Sequence, residues 1–137
     1  MMRISAKAEY ACLAIIELAK SGGSGTPKRV RELAKAQEIP ERYLIQILLQ
    51  LKAAGLVHSS RGSVGGYQLS RDPTSISVAE VIAAIDGRGE HIPKSQSEAG
   101  RNLSDLLDRA GSAEWEILSS TTFAQLAGIE YRNDWVL

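Results

Sequence analysis

Apolar residues recur at helical spacing in several separate blocks of the chain. In the first, Tyr10, Leu13, Ala14 and Leu18 fall three to four residues apart, and Ala8, Ala11, Ile15 and Ala19 widen the same face. Ser5 stands just ahead, where a hydroxyl can accept a backbone N–H, so a helix is predicted over about 5–20. It stops at the breaker Ser21-Gly22-Gly23-Ser24-Gly25. Val30, Leu33 and Ala34 predict a short second helix, beginning either with Thr26 as cap and Pro27 in the first turn or later, near Arg29. Gln37-Glu38-Ile39 is a connector, and Pro40 opens a third helix, about 40–54, that ends at Gly55.

That third helix has two chemically distinct faces. Tyr43, Leu44, Ile47, Leu48 and Leu51 form an apolar stripe, while Arg42, Gln46 and Gln50 stack on a polar line with Glu41, Ile45 and Leu49 beside it. A short helix, a tight connector and an amphipathic helix make a helix-turn-helix candidate. Leu56-Val57-His58-Ser59-Ser60 and Tyr67-Gln68-Leu69-Ser70 read as two short strands around the glycine-rich loop Arg61-Gly62-Ser63-Val64-Gly65-Gly66, the hairpin of a winged helix. The capping box Ser77-Val78-Ala79-Glu80 announces a helix over about 78–85, with Val78, Val81, Ile82 and Ile85 inward and a stop at Asp86-Gly87. Residues 87–100 show little periodicity and are expected to be a mobile loop. Leu103, Leu106, Leu107, Ala110, Trp115, Ile117 and Leu118 predict a long helix over about 101–120, with Gly111 a weak point costing about 1 kcal/mol against alanine. Thr121-Thr122 can cap one last turn through Phe123, Leu126 and Ala127.

Composition narrows the options. At 137 residues the chain suits one domain plus an appended element. The net charge of zero hides an asymmetry: residues 1–72 hold 11 Lys/Arg against 6 Asp/Glu, a net of +5, and residues 73–137 hold 5 against 10, a net of −5. A basic half joined to an acidic half suggests that one end faces a polyanion, although segregated solvated faces would give the same count. Aromatics at 5% argue against a stacking platform for single strands. No apolar run approaches the roughly 18–20 residues that cross a bilayer, and Lys7 and Glu9 interrupt any signal-like N-terminus; a cytoplasmic protein with no membrane partner is expected.

The inventory for catalysis is poor. His58 and His91 have no nucleophile–base arrangement around them, and Asp105 with Asp108 is best explained as solvated surface, so no enzyme is expected. Gly62-Ser63-Val64-Gly65-Gly66 is followed by a strand rather than by Gly-Lys-Ser/Thr, unlike a phosphate-binding loop. Cys12, the single cysteine, excludes an intrachain disulfide and an all-thiolate metal site; lying beside apolar residues, it is expected to be a buried structural thiol.

Three segments carry a resemblance: Ile39-Pro40-Glu41-Arg42-Tyr43-Leu44, Leu51-Lys52-Ala53-Ala54-Gly55-Leu56-Val57 and Ser60-Arg61-Gly62-Ser63-Val64-Gly65-Gly66-Tyr67-Gln68-Leu69. In this order and spacing they closely resemble the bacterial Rrf-two family of winged-helix transcription regulators. The match reaches back to Ser5-Ala6-Lys7 and Tyr10-Ala11, and forward through Ile76-Ser77-Val78-Ala79-Glu80-Val81-Ile82 to Ser120-Thr121-Thr122-Phe123-Ala124-Gln125-Leu126. The resemblance implies a mainly α fold with a small β-hairpin wing. Residues 1–86 would be the winged helix-turn-helix DNA-binding domain, 87–100 the mobile loop, and 101–137 the dimerisation helix with a C-terminal turn carried into the neighbouring subunit. The implied protein is a homodimeric, sequence-specific regulator, with repression the expected sense, on a pseudo-palindromic double-stranded site whose reading helices lie roughly 34–36 Å apart.

Within that frame Gln46 is the first candidate for base contact, through a bidentate pair with adenine, and Arg42 reaches guanine or phosphate from the same line. Ile45 suits a thymine methyl; better-known members carry there a glutamate that reads cytosine, so the target should differ. Arg61 at the wing tip suits the narrow minor groove of A·T-rich DNA, with Gly62, Gly65 and Gly66 allowing close approach. Tyr43, Ser60, Lys7, Arg3 and Lys28 are expected phosphate contacts, Tyr43 being equally suited to the core, and Arg29 weakens the second helix's cap while offering a further phosphate contact. Many members hold an iron–sulfur cluster through three cysteines in the loop that here runs from Gly87 to Asn102 and has none, so no cofactor and no metal site are expected; Glu9, at the place of a carboxylate ligand in some relatives, reads as a surface or cap charge. The cluster-free branch implies a regulatory protein or small-molecule effector as a further partner. The alternative reading is a winged helix used as a protein–protein interaction module, kept open by the apolar Ile45 and Leu49.

Overall fold

A computed structural model describes residues 4–21, 26–62, 65–89 and 91–129. In chain order it contains α1 (Ala6–Lys20), α2 (Val30–Gln37), α3 (Glu41–Ala53), β1 (Val57–Ser60), β2 (Gly66–Leu69), a 3₁₀ turn (Pro73–Ser75), α4 (Val78–Asp86), α5 (Glu98–Ser119) and α6 (Phe123–Ala127). Ser5 caps α1, its Oγ accepting from Ala8 N at 3.0 Å. The buried face of α1 is small: Ala8, Ala11, Ala14 and Ala19 have no exposed surface, and neither has Ile15. Short side chains let α2, α3, α4, α6 and β2 all pack against this one helix.

The second helix takes the later of its two starts. Arg29 is the N-cap, and the Glu32 carboxylate accepts its backbone N–H at 3.1 Å, so a side chain of the first turn offsets the weak cap. Glu38 ends α2 in the left-handed conformation, φ 55, a turn that favours glycine and that a glutamate occupies here at a cost of about 1–2 kcal/mol. The turn places Ile39 in the core, with its N–H on Ala34 O at 2.9 Å, and sets α3 across α2. Leu44, Ile47, Leu48 and Leu51 bury the inner face of α3, and Gly55, φ +77, follows its end as expected.

The wing is a two-stranded antiparallel hairpin with Val57 opposite Leu69 and Ser60 opposite Gly66. A third segment joins it: Lys28 N donates to Tyr67 O at 2.9 Å and Tyr67 N to Lys28 O at 2.7 Å. This pairing explains two glycines. A Cβ on Gly66, φ +153, would lie 2.5 Å from Lys28 O, and one on Gly65 would lie 2.5 Å from Ser60 O. Their lack of a side chain lets the wing close on its own chain.

Two expectations need correction. The Ser77–Glu80 box forms only by half: Ser77 Oγ accepts from Glu80 N at 3.2 Å, but the Glu80 carboxylate pairs with Arg71, which also holds Ser75 O. Helix α5 starts three residues early, at Glu98, because Ser97 caps it onto Gly100 N at 3.0 Å and a side chain at Gly100 would strike Ser95 O; residues 98–100 are therefore helix rather than loop. Helix α6 packs against its own chain. Thr122 and Gln125 box α6, Phe123 N donates to Ile76 O, and Phe123 and Ala124 are fully buried in the core of the same chain. Truncating Phe123 to alanine is expected to cost about 3–5 kcal/mol, measured by urea denaturation, because its ring is fully buried in the main core cluster.

Candidate nucleic-acid interface

Arg42, Ile45 and Gln46 all stand exposed on the outer side of α3. Gln50 does not join them. It is half-buried, with Oε1 turned inward to a place where no donor among the described residues meets it. Tyr43 is partly buried: its ring packs edge-on to Tyr10, centroids 5.6 Å apart at 90°. Tyr10 and Tyr43, with Ala6, Pro40, Arg42 and Gln46, line a shallow cleft of about 530 Å³ between the start of α1 and the start of α3. No side chain caps the first turn of α3, whose N-cap is Pro40. Uncapped first-turn amides and the positive end of the helix dipole suit an anion such as a phosphate.

Lys7 sits half-buried in the first turn of α1, on the same side of the chain as that cleft's Ala6 and Tyr10. The entry to α1 is tied down: Ser5 donates through its N (3.0 Å) and its Oγ to the Asp86 carboxylate at the end of α4. A carboxylate at a helix C-terminus is unfavourable alone; here the N-terminus of α1 compensates it. Lys28 is half-exposed and fixed by its backbone pairing with β2. At the far end of α3, Lys52 Nζ donates to Ser59 Oγ at 2.8 Å and joins the reading helix to β1. Ser60 and Arg61 are exposed beyond it, and Gly62 takes φ +97 in open space. Arg3, Ser63 and Val64 lie outside the described residues. Arg29 is exposed at the cap of α2.

The structure therefore brings Arg42, Tyr43 and Gln46 together in one cleft and sets Ser60 and Arg61 on a hairpin anchored to the end of the same helix. Tyr10 was missed as a cleft residue, because its helical spacing equally fits the core. Lys28's pairing with the wing was missed too, since a single bridged residue leaves no alternation to read.

Other candidate chemistry is accounted for by packing. The His58 ring lies between Ser70 Oγ (3.4 Å) and Gln68 Oε1 (3.3 Å) on the wing's outer face, and His91 Nε2 is 3.4 Å from Ser104 Oγ. Burial, with Glu9 and Asp86 adding to it, pushes the Cys12 thiol up to about 12, which leaves it protonated and unreactive near neutrality. Among the described residues no helix is long and apolar enough to cross a membrane.

Comparison with known proteins agrees with this geometry. The family model described as Rrf2, "Iron-dependent Transcriptional regulator", matches residues 4–128. The HTH-type transcriptional regulator CymR of Bacillus subtilis (strain 168) is 36% identical over 126 residues, covering 92% of this chain and 90% of that protein. The solved structure of CymR (YrzC), the global cysteine regulator of B. subtilis, superposes with a TM-score of 0.82 at 35% identity, over 93% of this chain and 98% of that one. The T. potens IscR structure gives 0.78 at 31% identity, over 93% and 87%. With a helix-turn-helix, a glycine wing and a family match running almost end to end, the chain belongs to the Rrf2 family and is a DNA-binding transcription regulator of winged-helix fold.

Proposed function

We propose that this regulator acts as a cluster-free homodimer on a pseudo-palindromic operator, with α3 in the major groove and the wing in the adjacent minor groove. The observation that carries the reading is the joint exposure of Arg42 and Gln46 on the second helix of the helix-turn-helix, beside a hairpin that exposes Arg61. Guanidinium and amide groups match the donor and acceptor edges of guanine and adenine, while Lys7, Lys28, Tyr43 and Ser60 supply phosphate contacts that hold register.

The dimer reading rests on α5. Leu103, Leu106, Ala110, Ala113 and Ile117 are all exposed and repeat at three- and four-residue steps, the spacing of a two-helix seam. Ile117 alone is 66% exposed. Two alanines at the middle of the stripe permit a close crossing, and Ser104, buried toward α4, marks the opposite side. In this reading residues 1–86 bind DNA and 101–137 join the subunits, although α6 packs back onto α1.

The residues present do not fit the iron chemistry in the family's description. An iron–sulfur cluster needs several thiolates. This chain has one cysteine, located on α1 with its ionisation suppressed, and among the described residues no group of three His, Cys, Asp or Glu side chains could hold a metal. Two residues ahead of α5 instead make side-chain contacts with it: the Arg88 guanidinium lies 4.2 Å over the Trp115 ring, and His91 Nε2 lies 3.4 Å from Ser104 Oγ. A regulatory protein or small molecule displacing these contacts would alter how α5 is presented.

One observation favours a second reading, a protein-interaction module: Ile45 and Leu49 are 45% and 55% exposed on the reading face. Salt dependence separates the two, because release of counterions from phosphates gives a steep slope only for DNA. Genomic fragments recovered with the purified protein should lose affinity steeply with salt, and Arg61→Ala should weaken their binding by about 1–3 kcal/mol in titrations. Ala110→Glu should shift the mass in sedimentation from two chains to one, by placing like charges in the seam. Cys12 gives a pH prediction. Its ionisation lies at about 12 in the fold against an ordinary 9.0, so the unfolded chain releases this proton first as pH rises. Stability that is fully present below pH 9 should fall between 9 and 12, and Cys12→Ala should flatten that arm of a denaturation-against-pH curve.

A further inference from the structure

Successive residues of a helix turn by about 100°, so Leu44, Ile47, Leu48 and Leu51 define the buried side of α3 and the opposite meridian is determined by them. That meridian passes between Arg42 and Ala53, with Gln46 on one flank and Ile45 on the other. Arg42 and Ala53 face most directly away from the core, and Leu49, 55% exposed, lies about 30° toward the side of Ile45, which stands one turn before it at 45%. Charged side chains are the ordinary occupants of such positions on a solvated helix. Here the apolar pair is flanked by Arg42, Gln46 and Lys52, with Glu41 as the one carboxylate in the same row, in the half of the chain whose net charge is +5, from 11 Lys/Arg against 6 Asp/Glu.

An apolar pair beside cationic side chains calls for a polyanion that also presents apolar groups. The major groove of duplex DNA does so at one point only, the C5-methyl of thymine. Ile45 and Leu49 are four residues apart, about 6 Å along the helix axis, close to two base-pair steps of roughly 3.4 Å. We propose that Ile45 and Leu49 together read thymine methyl groups about two base steps apart, so that the centre of each half-site is thymine-bearing, with Gln46 on the flank suited to an adenine in the same stretch. This rests on the reading of α3 as the major-groove element. It differs from a phosphate or hydrogen-bond contact because the selected group is a single methyl.

Deoxyuridine isolates that group, since uracil keeps every hydrogen-bonding atom of thymine and lacks only the methyl. The shortest duplex recovered with the purified full chain is made twice, with thymine throughout and with deoxyuridine throughout. Two methyls removed from an apolar contact should weaken wild-type binding roughly tenfold. The Ile45→Ala/Leu49→Ala variant, altered only at exposed positions, should bind both duplexes at one shared, weaker affinity while keeping a steep salt slope. Equal wild-type affinity for the two duplexes, with salt-dependent binding intact, overturns the methyl reading alone. Full discrimination retained by the double variant overturns the assignment to these residues. No salt-dependent binding to any duplex overturns the DNA reading itself and leaves the apolar pair to a protein partner.

Discussion

Helix α1 carries four alanines with no exposed surface, Ala8, Ala11, Ala14 and Ala19, and α2, α3, α4, α6 and β2 gather around them. Close approach is the constraint from which the rest follows. A larger side chain at any of these positions would push a neighbouring element outward, because a core at crystal-like density has no slack to absorb added volume. The site depends on this directly: Tyr10, on α1, and Tyr43, on α3, meet edge to face only because their helices are drawn together, and the cleft between them is the floor beneath Arg42 and Gln46.

The same economy of side-chain volume shapes the wing. Gly65 and Gly66 are occupied by backbone from Ser60 and Lys28, so the hairpin is held to the body at its base while Gly62 stands in open space. Binding energy from a guanidinium at the tip is useful only if the arm that carries it is already positioned, and the Lys52–Ser59 hydrogen bond joins that arm to the reading helix. Helix α3 and the wing are thus joined in one frame.

Two helices leave groups of apolar side chains in solvent, and their surroundings differ. On α5 the stripe of Leu103, Leu106, Ala110, Ala113 and Ile117 runs along a helix in the acidic half of the chain and repeats over four turns, which fits another helix. On α3 two residues stand amid arginine, lysine and glutamine, which fits a duplex. The neighbours, more than the exposed area, separate the two kinds of surface.

Much of this was legible from the chain alone. Each α-helix was foreseen from its 3.6-residue spacing, most of them with a capping serine or threonine or a stopping glycine, and the strands from their flanking glycines, because these signals are local. The candidate residues Arg42, Gln46 and Arg61 were legible because the wing and reading-helix segments are contiguous. The differences have two causes. Glu80 leaves its capping role for Arg71, nine residues away, and Gln50 turns inward, both settled by where other segments come to rest. The early start of α5 is local: Ser97 caps Gly100 N, and Ser95 fills the room beneath Gly100. Residue order determined the elements and the chemistry they carry. Tertiary packing alone decided which side chains face outward together, since burial and cross-chain contact depend on where distant segments come to rest.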